Sequence, residues 1–359
     1  MSPSQLHQYN ATSRSLISQS LDILRPYLPT CLPLYRRLQF GRFSDDSVIF
    51  TNVDYQCPHI DAPEQEPFLV AFVDRGCRPE TEVWMFGSWE VDVEGGAWER
   101  VREMLRDLVG RVKGLRVPRS IHEDESGTSL GQGNGNGSLD HSGIAIAIAT
   151  PPSTTSSNDE KDSVGYSRED YAGHASDPHI MLWGAIHERT VPILQGLGVL
   201  STEFKAGLVP NSTFVFTVDD LPQVRPLPAG LEWSNVEPKD FALVRRRTQI
   251  PRQERTMAVL PSLAIRTDES EPVAWAFVGL DGSLTTLHVE SEWRGRGLAK
   301  AIATKLFREE MHSFWEAGVE KMSHGYVVSG NEASEATCRS LGGRCGWQSY
   351  WLRVNLREV

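Results

Sequence analysis

The sequence predicts an α+β protein of two domains. Three observations carry that expectation: short apolar runs that follow one another through brief connections, helices legible as stripes of apolar residues, and a long polar tract that interrupts the first half. A chain of 359 residues exceeds one ordinary core, and about two domains are expected at that length. With 40% apolar, 9% aromatic and 23% charged residues the composition is globular, while 30 Gly and 21 Pro point to stretches that are not packed.

In chain order, a helical region is expected over Arg14 to Tyr27. Strands follow at Val48-Ile49-Phe50, at Phe68 to Phe72 and at Val83-Trp84-Met85-Phe86, close enough together for an antiparallel meander. Trp98, Val101, Leu105, Leu108 and Val112 form one apolar stripe at helical spacing, closed by Gly114 and Pro118. From about Arg119 to Asp177 the composition turns to Ser, Gly, Asn, Thr, Pro and acids, which cannot bury enough surface to order themselves. Ile144 to Ala149 alternates only Ile and Ala and reads as a sticky piece of that linker. Beyond it, Ile180 to Leu197 reads as helix and Phe214 to Val218 as a strand closed by Leu221-Pro222. Residues 1–222, with the insert 119–177 inside them, are taken as the first domain and residues 223–359 as the second.

The second domain has the clearer pattern. A helical stretch Pro238 to Arg246 leads to strands at Leu263-Ala264-Ile265, Val273 to Val278 and Ser283 to Val289, the last two joined as a hairpin at Asp281-Gly282. A long helix is expected from Leu298 to Trp315, with Leu298, Ile302, Leu306, Met311, Phe314 and Trp315 inward and Lys305, Arg308 and Glu309 facing water. A strand at Ser323 to Val328, a helix at Glu332 to Leu341 and a strand at Tyr350 to Val354 complete it.

Several function classes are disfavoured by simple counts. A net charge of −11 lacks the clustered basic excess on which nucleic-acid binding rests. The five cysteines, Cys31, Cys57, Cys77, Cys338 and Cys345, contain no C-x-x-C pair and are odd in number, so neither a zinc site nor a full disulfide framework is signalled. No window approaches a membrane span, and no signal-peptide run opens the chain. Asp22 interrupts a Ser-rich, weakly basic stretch, so a cytoplasmic location is expected, with a mitochondrial one as the alternative.

One motif carries chemistry. A strand, then Arg294-Gly295-Arg296-Gly297-Leu298-Ala299, then an amphipathic helix can hold a pyrophosphate on backbone amides at a helix N-terminus. Gly295 and Gly297 let the main chain turn so that successive N–H groups converge on an anion, and Arg294 or Arg296 can add a charge-assisted bond. A plain strand-to-helix connection is the other reading of two glycines in this place. The dinucleotide fingerprint fails because the loop follows a hairpin and lacks G-x-G-x-x-G, and a P-loop fails because no Gly-Lys-Ser/Thr follows.

The run Leu287-His288-Val289-Glu290-Ser291-Glu292-Trp293-Arg294-Gly295-Arg296-Gly297-Leu298-Ala299 resembles the acetyl-CoA signature of the GNAT superfamily of N-acyltransferases. Within it, Pro272-Val273-Ala274-Trp275 and Ser329-Gly330-Asn331-Glu332-Ala333 are similar to the glycine N-acyltransferase-like group, whose N-terminal half is a degenerate GNAT-like domain. The resemblance is specific from about Leu231 to Val354 and loose before that. It implies a GNAT fold: a mixed, mostly antiparallel central sheet flanked by helices. It also implies acetyl-CoA or another acyl-CoA as co-substrate, a small amine as acceptor and no metal. By the same resemblance Leu287, His288 and Val289 would offer backbone groups to the pantetheine arm, Arg294 to Ala299 would wrap the pyrophosphate, and Asn331 and Ser334 would sit beside the cofactor. Leu287 and Val289 read equally as sheet core, and Asn331 equally as a helix N-cap.

The catalytic positions depart from those relatives. Where they resemble one another in a glutamate on the hairpin strand this chain has Ser283, and where many place an acid tyrosine after the Asn-headed helix begins it has Cys338. Asp281, His288, Glu290 and Glu292 are the candidate replacements; His288 titrates in the useful range but also reads as a half-buried strand histidine bonded to a neighbour. The acyltransferase expectation therefore stands beside a non-catalytic acyl-CoA sensor and a scaffold that recruits partners through its insert.

Overall fold

The computed structural model describes residues 6–55, 66–91, 97–116, 168–248, 250, 252–268 and 271–358. Its strands are β1 (His7–Asn10), β2 (Val48–Thr51), β3 (Leu69–Val73), β4 (Val83–Gly87), β5 (Ile180–His187), β6 (Asn211–Thr217), β7 (Leu231–Ser234), β8 (Ser262–Thr267), β9 (Pro272–Val278), β10 (Ser283–Val289), β11 (Met322–Val328) and β12 (Arg344–Asn355). They join in one 12-stranded sheet of order β1-β2-β3-β4-β5-β12-β6-β11-β10-β9-β8-β7.

That order holds an exchange. The C-terminal strand β12 lies against β5, and β6, from the first half of the chain, lies between β12 and β11. All pairs are antiparallel except β4 with β5 and β10 with β11. The two halves of the sheet thus repeat one arrangement about an axis between β6 and β12, each half closed by a strand next to the other half's own.

Helices cover both faces: α1 (Arg14–Leu24), α2 (Leu32–Phe40), α3 (Trp98–Lys113), α4 (Arg168–Ala172), α5 (Val191–Gly196), α6 (Phe241–Arg246), α7 (Glu254–Met257), α8 (Leu298–Glu309) and α9 (Glu332–Ser340). One core gathers α1 and α2 residues such as Leu24, Leu34 and Leu38 with Ile49, Val70, Phe72 and Phe86. Opposite it, α3 buries Val101, Leu105, Leu108 and Val112 with Phe50, Ala71 and Trp183. In the other half, α8 buries Leu298, Ile302 and Leu306 with Ala274, Ala276, Phe214 and Phe216, and α6 covers Trp275 and Phe277 from the reverse side.

Several expectations are corrected. Ile180 to Leu197 is not a helix but β5 followed by α5. All eight residues of β5 are buried, so the strand has no polar alternation and its apolar run imitates a helix; Pro192, in the first turn of α5, marks where helix begins. Trp98 leaves the α3 stripe and is 44% exposed. The helix expected to run to Trp315 stops at Glu309, although Met311 and Phe314 beyond it are still buried. The last ten residues of the polar insert are ordered: α4 and the turn Gly173–Ser176 give carbonyls of His174, Ala175 and Asp177 to Arg78. Most of the insert, with Ile144 to Ala149, lies outside the described residues.

Helix α2, which no sequence pattern marked, ties the halves together. Arg36 on it is 1% exposed, and its guanidinium donates to the carbonyls of Met322 (2.9 and 3.2 Å) and Phe314 (2.8 Å). Tyr35 adds a bond to Glu316 at 3.0 Å.

Candidate functional site

The sheet forks where β10 and β11 run parallel. They pair at Ser283 with His324 and at Leu284 with Gly325, and the ladder stops there. Just beyond, β10 bulges between Thr285 and His288, with Thr286 at φ 54°. A bulge re-aims a strand, and this one turns β10 away from β11, so Leu287, His288 and Val289 run along an edge without a β11 partner.

The chain then makes a helical turn at Ser291–Trp293 and enters the glycine loop. Gly295 and Gly297 have φ of 75° and 80°, and a Cβ at either would meet nothing within 4 Å. They are glycines for conformation, not for crowding. Arg294 through Gly297 are exposed. No side chain caps α8, so the orphan amides of its first turn face outward with the positive end of the helix dipole. The arginines are partly tied to the loop: Arg294 Nε donates to the Val289 carbonyl at 3.0 Å, and Arg296 donates to that of Glu292 at 3.2 Å with its guanidinium 4.6 Å from the Trp293 ring centre.

The other residues singled out from the sequence fall into three places. Leu287 and Val289 pack on the α8 core, as does the buried Cys338, whose thiol burial pushes up to about 12. His288 points to the opposite face and stacks on Trp275 at 4.6 Å, with Nε2 3.5 Å from Glu290. Burial lowers its pKa, against the pull of Glu290, which itself accepts from Arg247 at 2.9 Å. Asn331 caps α9, accepting the Ser334 amide at 3.1 Å.

Ser283 belongs to a polar cluster at the base of the fork. Its hydroxyl donates to Asp281 Oδ1 at 2.6 Å and its amide to the same oxygen at 3.2 Å. Tyr326, the first residue of β11 past the ladder, donates to Asp281 Oδ2 at 3.0 Å, and its oxygen lies 2.9 Å from His324 Nε2. Burial opposes charge on Asp281, but the His324 ring and the Ser283 donors outweigh it and hold the carboxyl at about 2. Burial and that carboxylate together raise the Tyr326 phenol well above its ordinary value. Arg252 lies over the same face, donating to Thr286 Oγ1 at 3.1 Å and to Thr285 Oγ1 at 2.6 Å. The first half of the chain holds this wall in place, since Glu80 accepts from the Gln253 amide at 3.2 Å and from the Thr256 hydroxyl at 2.6 Å. Asp281 was legible as a candidate. Tyr326, His324, Arg252 and Glu80 were not, because only the fold brings them together.

The equivalent fork of the other half is filled. There β4 and β5 pair at Val83 with Trp183, and a Cβ on Gly87 would lie 2.3 Å from the Trp89 ring, which is fully buried. Trp89 donates to Thr190 at 3.0 Å, and Thr190 donates to Glu90 at 2.8 Å. Among the described residues no three His, Cys, Asp or Glu side chains gather as metal ligands, and no helix is long and apolar enough to cross a membrane.

A repeated mixed sheet with one open fork and a glycine loop at a helix N-terminus defines a tandem protein of the GNAT superfamily. Residues 3–222 match the family described as the acyl-CoA N-acyltransferase verG N-terminal domain, and residues 263–352 match the FR47-like protein family. The first match spans more than half of the chain, which belongs to that acyl-CoA N-acyltransferase family. No curated protein matches the chain. Among solved structures, a Drosophila protein is similar over 97% of this chain and 98% of its own, at 15% identity and a TM-score of 0.55. A tandem GNAT protein from the clavulanic acid biosynthesis pathway covers 98% and 99% at 10% identity and a TM-score of 0.46. A GCN5-related N-acetyltransferase from Kribbella flavida covers 46% and 64% at 15% identity and a TM-score of 0.34.

Proposed function

We propose that this protein transfers an acyl group, acetyl in the first instance, from a CoA thioester to a primary amine of a small molecule or amino acid. The observation that carries this reading is the exposed loop Arg294–Gly297 at the uncapped N-terminus of α8, beside a fork whose β10 edge lacks a ladder partner. In this proposal the amides from Arg294 to Ala299 hold the pyrophosphate. Backbone groups of Leu287, His288 and Val289 hold the pantetheine arm, with Asn331 and Ser334 beside it. Residues 223–359 supply the binding surface. Residues 1–222, whose own fork is filled by Trp89, support it.

The test is turnover by the full chain. Acetyl-, benzoyl- and longer acyl-CoAs are presented with a panel of amines, and free thiol is measured. Amine-dependent thiol release is expected. Tight acyl-CoA binding with no such release would replace the enzyme by a sensor, and no binding at all would remove both. Deleting 119–177 while retaining turnover would leave the insert outside the chemistry.

A further inference from the structure

We propose that Tyr326, His324 and Asp281 form the proton relay of the acceptor side, with the Tyr326 hydroxyl as the group that touches the amine. This rests on the acyl-transfer reading above and adds residues to it that the superfamily signature does not mark.

Tyr326 follows Gly325, the last β11 residue in the β10 ladder, so its side chain leaves the sheet where the two strands part. His324, two residues earlier on the same strand face, has a fully buried side chain, and Asp281 is 7% exposed. Thr285 and Arg252 lie on that face as well, giving it a polar lining, whereas Leu287 and Val289 turn to the α8 core on the other.

An acid and a histidine buried together stabilise a fold little compared with apolar residues of the same size, so their presence at the base of the fork, where β10 and β11 part, calls for a role. The cluster is also incomplete as a structural network, since His324 Nδ1 is buried without a hydrogen-bond partner. By contrast the turn that presents Asp281 is firmly set: the Gly279 amide donates to the Ser283 carbonyl at 2.7 Å, the Gly282 amide to that of Gly279 at 2.9 Å, and Gly282 has φ of 74°.

The amine arrives as an ammonium ion. One of its protons passes to the Tyr326 oxygen while the tyrosine's own proton, swung from Asp281 Oδ2 by rotation of the hydroxyl, moves across 2.9 Å to the unprotonated Nε2 of His324, leaving a neutral amine, a neutral phenol and an imidazolium 3.6 Å from the Asp281 carboxylate. The nitrogen lone pair then forms the C–N bond to the thioester carbon, the C–S bond breaks, and the sulfur keeps the electron pair. A second nitrogen proton ends on that sulfur as the thiol, and after the products leave the imidazolium passes its proton back through the Tyr326 hydroxyl to solvent. Tyr326 is the catalytic residue in this scheme; His324 and Asp281 act through it and position it.

Other charges bear on the cluster: Arg252 and, behind it, Glu80 from the α7 side, and Arg36 from α2, whose chain lies against Gly282. All three are the same in wild type and variants, so the difference between their pH profiles isolates the relay. The experiment compares the full-length wild type with Tyr326→Phe and, should that variant misfold, Asp281→Asn. Affinity for acetyl-CoA is measured by calorimetry and amine-dependent thiol release is followed from neutral pH to the pKa of the amine. The expected result is unchanged acetyl-CoA affinity, a loss in kcat of about 100-fold or more near neutrality, and a deficit that shrinks as pH rises, because bulk solvent then deprotonates the amine. A variant as fast as wild type, or one slowed by the same factor at every pH, overturns the relay while leaving acyl transfer intact. A wild type that releases no thiol with any amine overturns both.

Discussion

Gly297 is the residue on which the proposed anion site turns. With φ of 80° and nothing within 4 Å of a Cβ, it tolerates a side chain sterically but not conformationally. Gly297→Val is expected to strain the loop by about 1–2 kcal/mol and to weaken acyl-CoA binding by about tenfold or more in calorimetry, while circular dichroism shows the fold retained. An unchanged Kd would remove the loop from the site. Glu90, in the filled fork, gives a prediction of a different kind. Burial pushes its carboxyl from 4.5 up to about 8, despite bonds from Thr190 and the Gly87 backbone. In that window the folded chain holds a proton that the unfolded chain has lost, so stability falls as pH rises from about 4.5 to about 8 and is level above it. Glu90→Gln is expected to flatten this part of the Tm profile, and an equal slope in variant and wild type would show Glu90 to be ionised in the fold.

At this scale the loop residues were legible because glycines at a strand-to-helix junction are adjacent in sequence. Tyr326 and Asp281 are 45 positions apart, and a histidine and a tyrosine two apart on a strand are unremarkable until a third partner is placed beside them.

Elements show the same division. The α8 and α3 stripes announce themselves because each helix buries one side only. The strand β5 does not, because a central strand covered on both faces erases the alternation that distinguishes strand from helix. Helix α2 was hidden by Arg36 and Arg37, both buried, in a position where sequence reasoning expects solvent. Arg37 sits 4.5 Å from the Phe72 ring centre and 3.8 Å from Asp74, contacts that only the folded sheet supplies. The segment around α7 is pinned by Glu80 from the far half, so Glu80→Ala is expected to raise the KM for the amine several-fold through loss of about 1–3 kcal/mol of hydrogen bonding, with acyl-CoA affinity unchanged. Equal losses for both substrates would show instead a general loosening.

For the whole molecule the exchange of β6 and β12 makes the halves inseparable. Residues 223–359 alone would lack the strand that separates β11 from β12, and residues 1–222 alone would lack the neighbour of β5. A single calorimetric unfolding transition is therefore expected of the intact chain, and little folded protein from either piece expressed by itself. Arg36→Ala is expected to lower the Tm of that one transition, since it leaves the Met322 and Phe314 carbonyls without their charged donor, at a cost of about 1–3 kcal/mol. Two transitions, or a stable isolated half, would show that each half is closed without the other.

The exchange also sets a timetable for synthesis. On the ribosome β12 is made long after β5, so the first half waits with an open sheet edge until β12 emerges, on the order of ten seconds or more at roughly 5–20 residues per second. Such an edge invites the wrong neighbour. A nascent chain stalled just before Arg344 would carry that exposed edge for as long as the stall lasts, and the twelve residues Arg344–Asn355 act as the latch that ends its vulnerability.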